Sequence, residues 1–92
     1  MSKFKLGQVV MTRGIAEKME QSKEFTEFVQ RSYYRHAIGD WGELDEEDKQ
    51  SNEDALENGD RLFSAYEKGD WKIWIITEWD RSATTILFPS EY

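Results

Sequence analysis

The sequence predicts an α+β domain: a short N-terminal strand, two to three helices, then a three-stranded antiparallel meander, with the helices packed on one face of the sheet. Three observations carry this expectation. Apolar residues recur at helical spacing from Phe25 to Ala37. The last third consists of strand-like runs separated by turn residues. The chain has 92 residues without repeat, low-complexity tract or linker, so residues 1–92 read as one domain.

Gln8-Val9-Val10-Met11-Thr12 is β-branched and bounded by Gly7 and Gly14, as a first strand should be. A short helical turn follows near Ile15–Glu20. Ser22 can cap the next helix, whose stripe is Phe25, Phe28, Val29, Ser32, Tyr33, His36 and Ala37. Gly39 suits the left-handed position after its end. The loop Gly39-Asp40-Trp41-Gly42 leads to a third helix. Asp45 caps it, Leu44 is the staple before the cap, and Glu46, Glu47 and Asp48 occupy the first turn, where the helix dipole favours negative charge. Its inward line is Asn52, Ala55 and Leu56, and Gly59 ends it. A buried Asn52 needs hydrogen-bond partners.

Arg61–Glu67, Trp71–Trp79 and Thr84–Phe88 are the three strands of the meander. Lys68-Gly69 and Asp80-Arg81-Ser82 are its turns, and Pro89 stops the last strand. In the middle strand Trp71, Ile73, Ile75, Thr77 and Trp79 point one way, and Lys72, Trp74, Ile76 and Glu78 the other. Helices on one side cover only one set. The second set, with neighbours such as Phe63 or Leu87, is either closed over by the N-terminal segment and the chain ends or is a dimer face centred on Trp74 and Ile76.

Composition narrows function. Aromatic residues make up 14% of the chain, enough for a small core. The absence of cysteine excludes a disulfide scaffold, a thiolate zinc site and thiol catalysis. No apolar run approaches the roughly 18–20 residues of a membrane span. Met1 to Leu6 is short, carries two lysines and does not read as a signal peptide. The expectation is a soluble cytoplasmic protein.

The net charge of −7 is unevenly placed. Residues 40–60 hold ten acids (Asp40, Glu43, Asp45, Glu46, Glu47, Asp48, Glu53, Asp54, Glu57 and Asp60) and one base, Lys49, a balance of −9; the rest of the chain carries +2. Such a segment repels nucleic acid and attracts basic surfaces, including grooves that normally hold nucleic acid. The competing reading is a solvated helix face that aids solubility.

Catalytic motifs are weak. His36, the only histidine, lies on the apolar stripe, and no positioning motif frames Ser64 or Ser82 as a nucleophile. A core or boundary role for His36 is therefore expected. Asp40, Glu43, Asp45 and Asp48 lack the alternation of a calcium loop, so no metal site is assigned. Gly39 and Gly42 form no phosphate loop, no cofactor motif is present, and no basic stripe supports direct nucleic-acid binding. At the tip Glu78-Trp79-Asp80-Arg81-Ser82, Asp80 and Ser82 have turn roles, while Trp79 and Arg81 also suit a binding hot spot.

Leu6-Gly7-Gln8-Val9-Val10, Arg35-His36-x-x-Gly39-Asp40-Trp41-Gly42, Asn52-x-x-Ala55-Leu56-x-x-Gly59, Trp74-Ile75-Ile76-Thr77-Glu78-x-Asp80-Arg81-Ser82-x-Thr84-Thr85 and Pro89-x-Glu91-Tyr92 span most of the chain. Together they resemble a family of small bacterial proteins of plasmids and other mobile elements, labelled "plasmid-related protein" or "type I restriction endonuclease subunit M". The chain is too short for a methyltransferase cofactor domain. The resemblance implies a mobile-element setting.

The sequence reading is thus a non-enzymatic acidic binding protein of a mobile genetic element. It would inhibit a prokaryotic nucleic-acid-targeting defence system, as an anti-CRISPR or antirestriction protein, by nucleic-acid charge mimicry. Its partner would be a protein with a basic surface, met by Glu43, Asp45, Glu46, Glu47, Asp48, Glu53, Asp54 and Glu57, with Trp41 and Trp79 as apolar anchors. The rivals are a structural or regulatory homodimer of the element joined through Trp74 and Ile76, and a small enzyme using Arg35, His36, Asp40, Glu78 or Arg81.

Overall fold

The computed structural model describes residues 2–92. Its elements are β1 (Gln8–Met11), α1 (Arg13–Gln21), α2 (Lys23–Ala37), α3 (Glu46–Asn58), β2 (Leu62–Lys68), β3 (Trp71–Thr77), β4 (Ala83–Leu87) and a closing 3-10 turn, Pro89–Glu91. The helices begin at side-chain caps. Thr12, Ser22 and Asp45 accept from the backbone N–H of Ile15, Phe25 and Asp48 at 3.4, 3.1 and 2.8 Å. Capping by Thr12 starts α1 two residues before the expected Ile15.

The α+β class and the meander are present, and the sheet is larger than expected. It has four strands in the order β1-β4-β3-β2. β2, β3 and β4 pair antiparallel, and β1 adds to β4 in parallel, with Val9 opposite Thr84 and Val10 opposite Thr85. A meander is readable from short turns between neighbours in sequence. β1 is separated from β4 by three helices and two strands, so no local signal names its partner. β3 also ends at Thr77, because Glu78 and Trp79 already belong to the turn.

α1 and α2 cover one sheet face. Ile15, Phe25, Phe28 and Val29 pack there against Tyr66, Ile73, Ile75 and Ile86, with Trp71 and Phe88 at the margin. α3 departs from the expected single helical layer and lies along the outer edge of β2. A second cluster of Trp41, Ala55 and Leu62, with Phe4, Leu44 and Leu56, holds it there. Asn52 is buried and finds the partners it requires in the strand itself. Its amide donates to Phe63 O at 2.6 Å and its oxygen accepts from Phe63 N–H at 3.1 Å.

On the opposite sheet face, Phe63 meets Trp74 edge-on at 5.0 Å, and Trp74 meets Tyr92 at 5.6 Å. Ile76 and Leu87 are buried and Trp74 is half-buried. The chain end therefore lies against this face through Tyr92, whereas the N-terminal strand widens the sheet.

Candidate acidic interface

The ten acids of residues 40–60 are all solvent-exposed. On α3 the buried line is Asn52 and Ala55. At about 100° per residue, Glu46, Glu47, Glu53, Asp54 and Glu57 fall within an arc of about 120° on the far side. Asp45 is engaged at the cap, Glu43 and Asp45 extend the acidic surface before the helix start, and Asp48, expected from sequence to join it, sits in the first turn on the side of Asn52 and Ala55, outside the arc. Bases reach only part of it. Lys49 lies 3.9 Å from Glu46, Lys3 lies 3.9 Å from Glu53, and Arg35 pairs with Asp40 at 2.7 Å. No arginine folds over the arc among the ion pairs of the described residues. Gln50 donates to Asp54 at 3.0 Å from within it.

The C-terminal end of α3 is fixed by two devices. Gly59 takes the left-handed conformation (φ 76°) and its N–H donates to Ala55 O. The Arg81 guanidinium then reaches across from the β3–β4 turn. It donates to Ala55 O at 3.1 Å, to Asp60 O at 2.6 Å, and to Glu78 O and Trp79 O in its own turn. Cation–dipole attraction at a helix C-terminus adds to these bonds. Arg81 itself has φ 60°, unusual for a residue with a side chain, so the turn is bent to make this reach. The clasp carries the hairpin tip to the end of the acidic helix. Trp79, 67% exposed, stands there beside the Asp60 segment.

The two anchors proposed from sequence have different fates. Trp79 is displayed at the surface. Trp41 is 4% exposed, so it cannot be an anchor; it stacks on Phe4 and donates from Nε1 to Glu53 at 2.8 Å. Its place is dictated by Gly42, which pairs with Ala65 on the edge of β2 and draws residue 41 into the cluster. A side chain at Gly42 would collide with the Ala65 carbonyl.

Of the five residues of the enzymatic rival, Arg35, His36, Asp40 and Arg81 have structural partners. His36 is fully buried. Thr84 Oγ1 donates to Leu6 O at 2.7 Å, an atom that can only accept. Thr77 must then donate to Thr84 at 2.7 Å and accept from His36 Nε2–H at 2.9 Å, while Ser64 donates to His36 Nδ1 at 2.6 Å. Both ring nitrogens are thus engaged in a one-way chain, and burial lowers the imidazole pKa from 6.5 to about 4. Arg35 holds Asp40 by a two-pronged contact, which keeps that carboxyl below its usual range, and its guanidinium lies 4.9 Å from the Tyr66 ring centre. Tyr66 donates to Asp40 O at 2.7 Å. The surface concavities at Trp71, Lys18 and Phe88 (about 580 Å³) and at Phe63, Trp74 and Tyr92 (about 220 Å³) are lined by none of these five residues.

Among the described residues, no group of three or more His, Asp or Glu is placed to hold a metal ion, and no helix is long and apolar enough to cross a membrane. Comparison with protein-family models, with curated proteins and with solved structures finds no match for this chain.

Proposed function

We propose that this chain is a non-enzymatic binding protein of a mobile genetic element that inhibits a prokaryotic nucleic-acid-targeting defence system. Its acidic helix would occupy a basic groove that otherwise holds nucleic acid. The observation that carries the reading is the arc of Glu46, Glu47, Glu53, Asp54 and Glu57, exposed along one side of a helix whose ends are pinned. A helix held at both ends pays little backbone ordering entropy on docking, which favours a charge mimic. Trp79 at the end of that row supplies an aromatic contact. Binding is favoured over catalysis by His36, whose two nitrogens are both occupied inside the core.

The test is affinity capture from bacteria carrying restriction or CRISPR systems, at low and high salt, with nuclease activity measured on what is retained. The expected result is a nuclease complex that elutes as salt rises and is inhibited by the chain. Combined charge reversal, Glu46→Lys, Glu47→Lys and Asp54→Lys, should abolish retention with the fold unchanged. Retention that survives both salt and reversal would contradict the mechanism.

A further inference from the structure

The two edges of the sheet are finished differently. Along β2, Glu43 N–H donates to Ala65 O at 2.8 Å, Ala65 N–H donates to Trp41 O at 3.4 Å, and the Asn52 amide takes both backbone groups of Phe63. The outward side of this strand is closed at Phe63 and Ala65. Along β1, Gln8 N–H donates to Ser82 O at 3.0 Å and Thr12 N–H to Ile86 O at 3.1 Å. Alternate residues of a parallel ladder face the neighbour, so Val9 and Met11 direct their N–H and C=O groups away from β4. Val9, Val10 and Met11 are 41, 38 and 41% exposed. The strand Gln8–Met11 contains no charge and no proline, two of the features with which sheet edges avoid pairing.

We propose that β1 pairs antiparallel with β1 of a second copy of this chain, about a two-fold axis at Val10. In that register Val9 stands opposite Met11 of the second copy, and Met11 opposite its Val9. Both are hydrogen-bonded pairs, so every outward backbone group of the two residues is used. The pairing is isologous, as a two-fold contact must be.

Charge disfavours the other edge for a second copy. Residues 1–39 carry seven bases and four acids, whereas residues 40–60 carry ten acids and one base. The acidic helix lies against β2, at the far side of the sheet from β1. Joining two β1 edges makes an eight-stranded sheet with the acidic helices at its ends. Seven strand spacings of about 4.8 Å separate the two β2 strands by on the order of 34 Å, several screening lengths in physiological salt. Joining β2 edges would instead bring two segments of −9 together. The open face around Trp74 is the weaker surface, because Ile76 and Leu87 are already buried and Trp74 is packed by Phe63 and Tyr92. A four-residue edge buries far less than the roughly 800 Å² per partner of a standard interface, so the dimer is weak and forms at high protein concentration.

Sedimentation equilibrium over a dilution series tests this with the intact chain. The expected result is a monomer–dimer equilibrium, with amide exchange at Val9 and Met11 slowing as concentration rises while that at Val10 does not. Val10→Lys sets two ammonium groups side by side on the axis and should leave monomer only, with an unchanged circular dichroism spectrum. Trp74→Lys should leave the equilibrium in place. Monomer at every concentration overturns the proposal. So does a dimer lost on Trp74→Lys but kept on Val10→Lys, or protection of Val9 and Met11 that appears only when another protein is added.

Discussion

α2 and α3 are helices of similar length, with 15 and 13 residues, held to the same sheet by different forces. α2 buries Phe25, Phe28, Val29, Ser32, His36 and Ala37, a stripe that runs its whole length. α3 buries only Asn52 and Ala55. Its position depends on directional contacts: Asn52 to the β2 backbone, Arg81 to the Ala55 carbonyl near its end, and Glu53 to the Trp41 indole. A helix attached by its amide and its end needs little apolar surface of its own. Most of α3 is therefore left free for carboxylates, a division between scaffold and display that several substitutions can break.

The largest effect is expected on the scaffold side. Phe25→Ala removes a fully buried ring that packs against Phe28, Trp71 and Phe88. It should cost about 3–5 kcal/mol by denaturant unfolding. The pH dependence of stability should be nearly as large. Burial lowers the pKa of His36 to about 4 from 6.5, so the unfolded chain takes up the proton first as pH falls. This contribution is complete above about pH 6.5, declines through the window down to about pH 4 and is then flat, an overall loss of about 3 kcal/mol. Unfolding measured across that window checks it, and His36→Gln should remove the slope.

On the display side, Asn52→Ala strands the N–H and C=O of Phe63 beside an apolar cluster. It should cost about 1–3 kcal/mol, with faster amide exchange at Phe63. Arg81→Ala should cost about 1–2 kcal/mol and loosen the helix locally, seen as faster exchange at Gly59 and Asp60, whose N–H groups donate to Ala55 O. The smallest change per residue is expected from reversing Glu46, Glu47 and Asp54. Glu46 and Glu47 lose a favourable place in the first turn of α3, at about 0.3–1 kcal/mol each, and the exposed Asp54 moves stability by no more than about 0.5 kcal/mol. A large loss of stability from that reversal would mean that the acids help hold the fold.

These elements were legible to different degrees. α2 and the meander are written in the sequence as apolar periodicity, which tertiary packing reinforces. Asp45, Gly59 and the inward line of Asn52 and Ala55 were likewise readable, because caps and buried lines are local. Three features depend on distant partners. The pairing of β1 with β4 crosses most of the chain. The burial of Trp41 follows from the approach of Gly42 to Ala65, which only the assembled sheet brings about. The clasp by Arg81 requires a left-handed turn residue to meet the end of α3. Asp80 and Ser82 marked that turn, but no spacing in the sequence links it to Ala55. Glycine and asparagine are the usual residues at positive φ, so an arginine there gave no signal.

On the proposed reading, Glu46, Glu47 and Asp54 are dispensable to folding and decisive for binding. Phage challenge of bacteria expressing either this chain or its form reversed at Glu46, Glu47 and Asp54, across strains that each carry one restriction or CRISPR system, tests this most directly. Protection of the phage in at least one strain by the unaltered chain, lost on reversal while both proteins accumulate in folded form, is the expected result. Equal protection by both forms, or protection by neither in any strain, would contradict it.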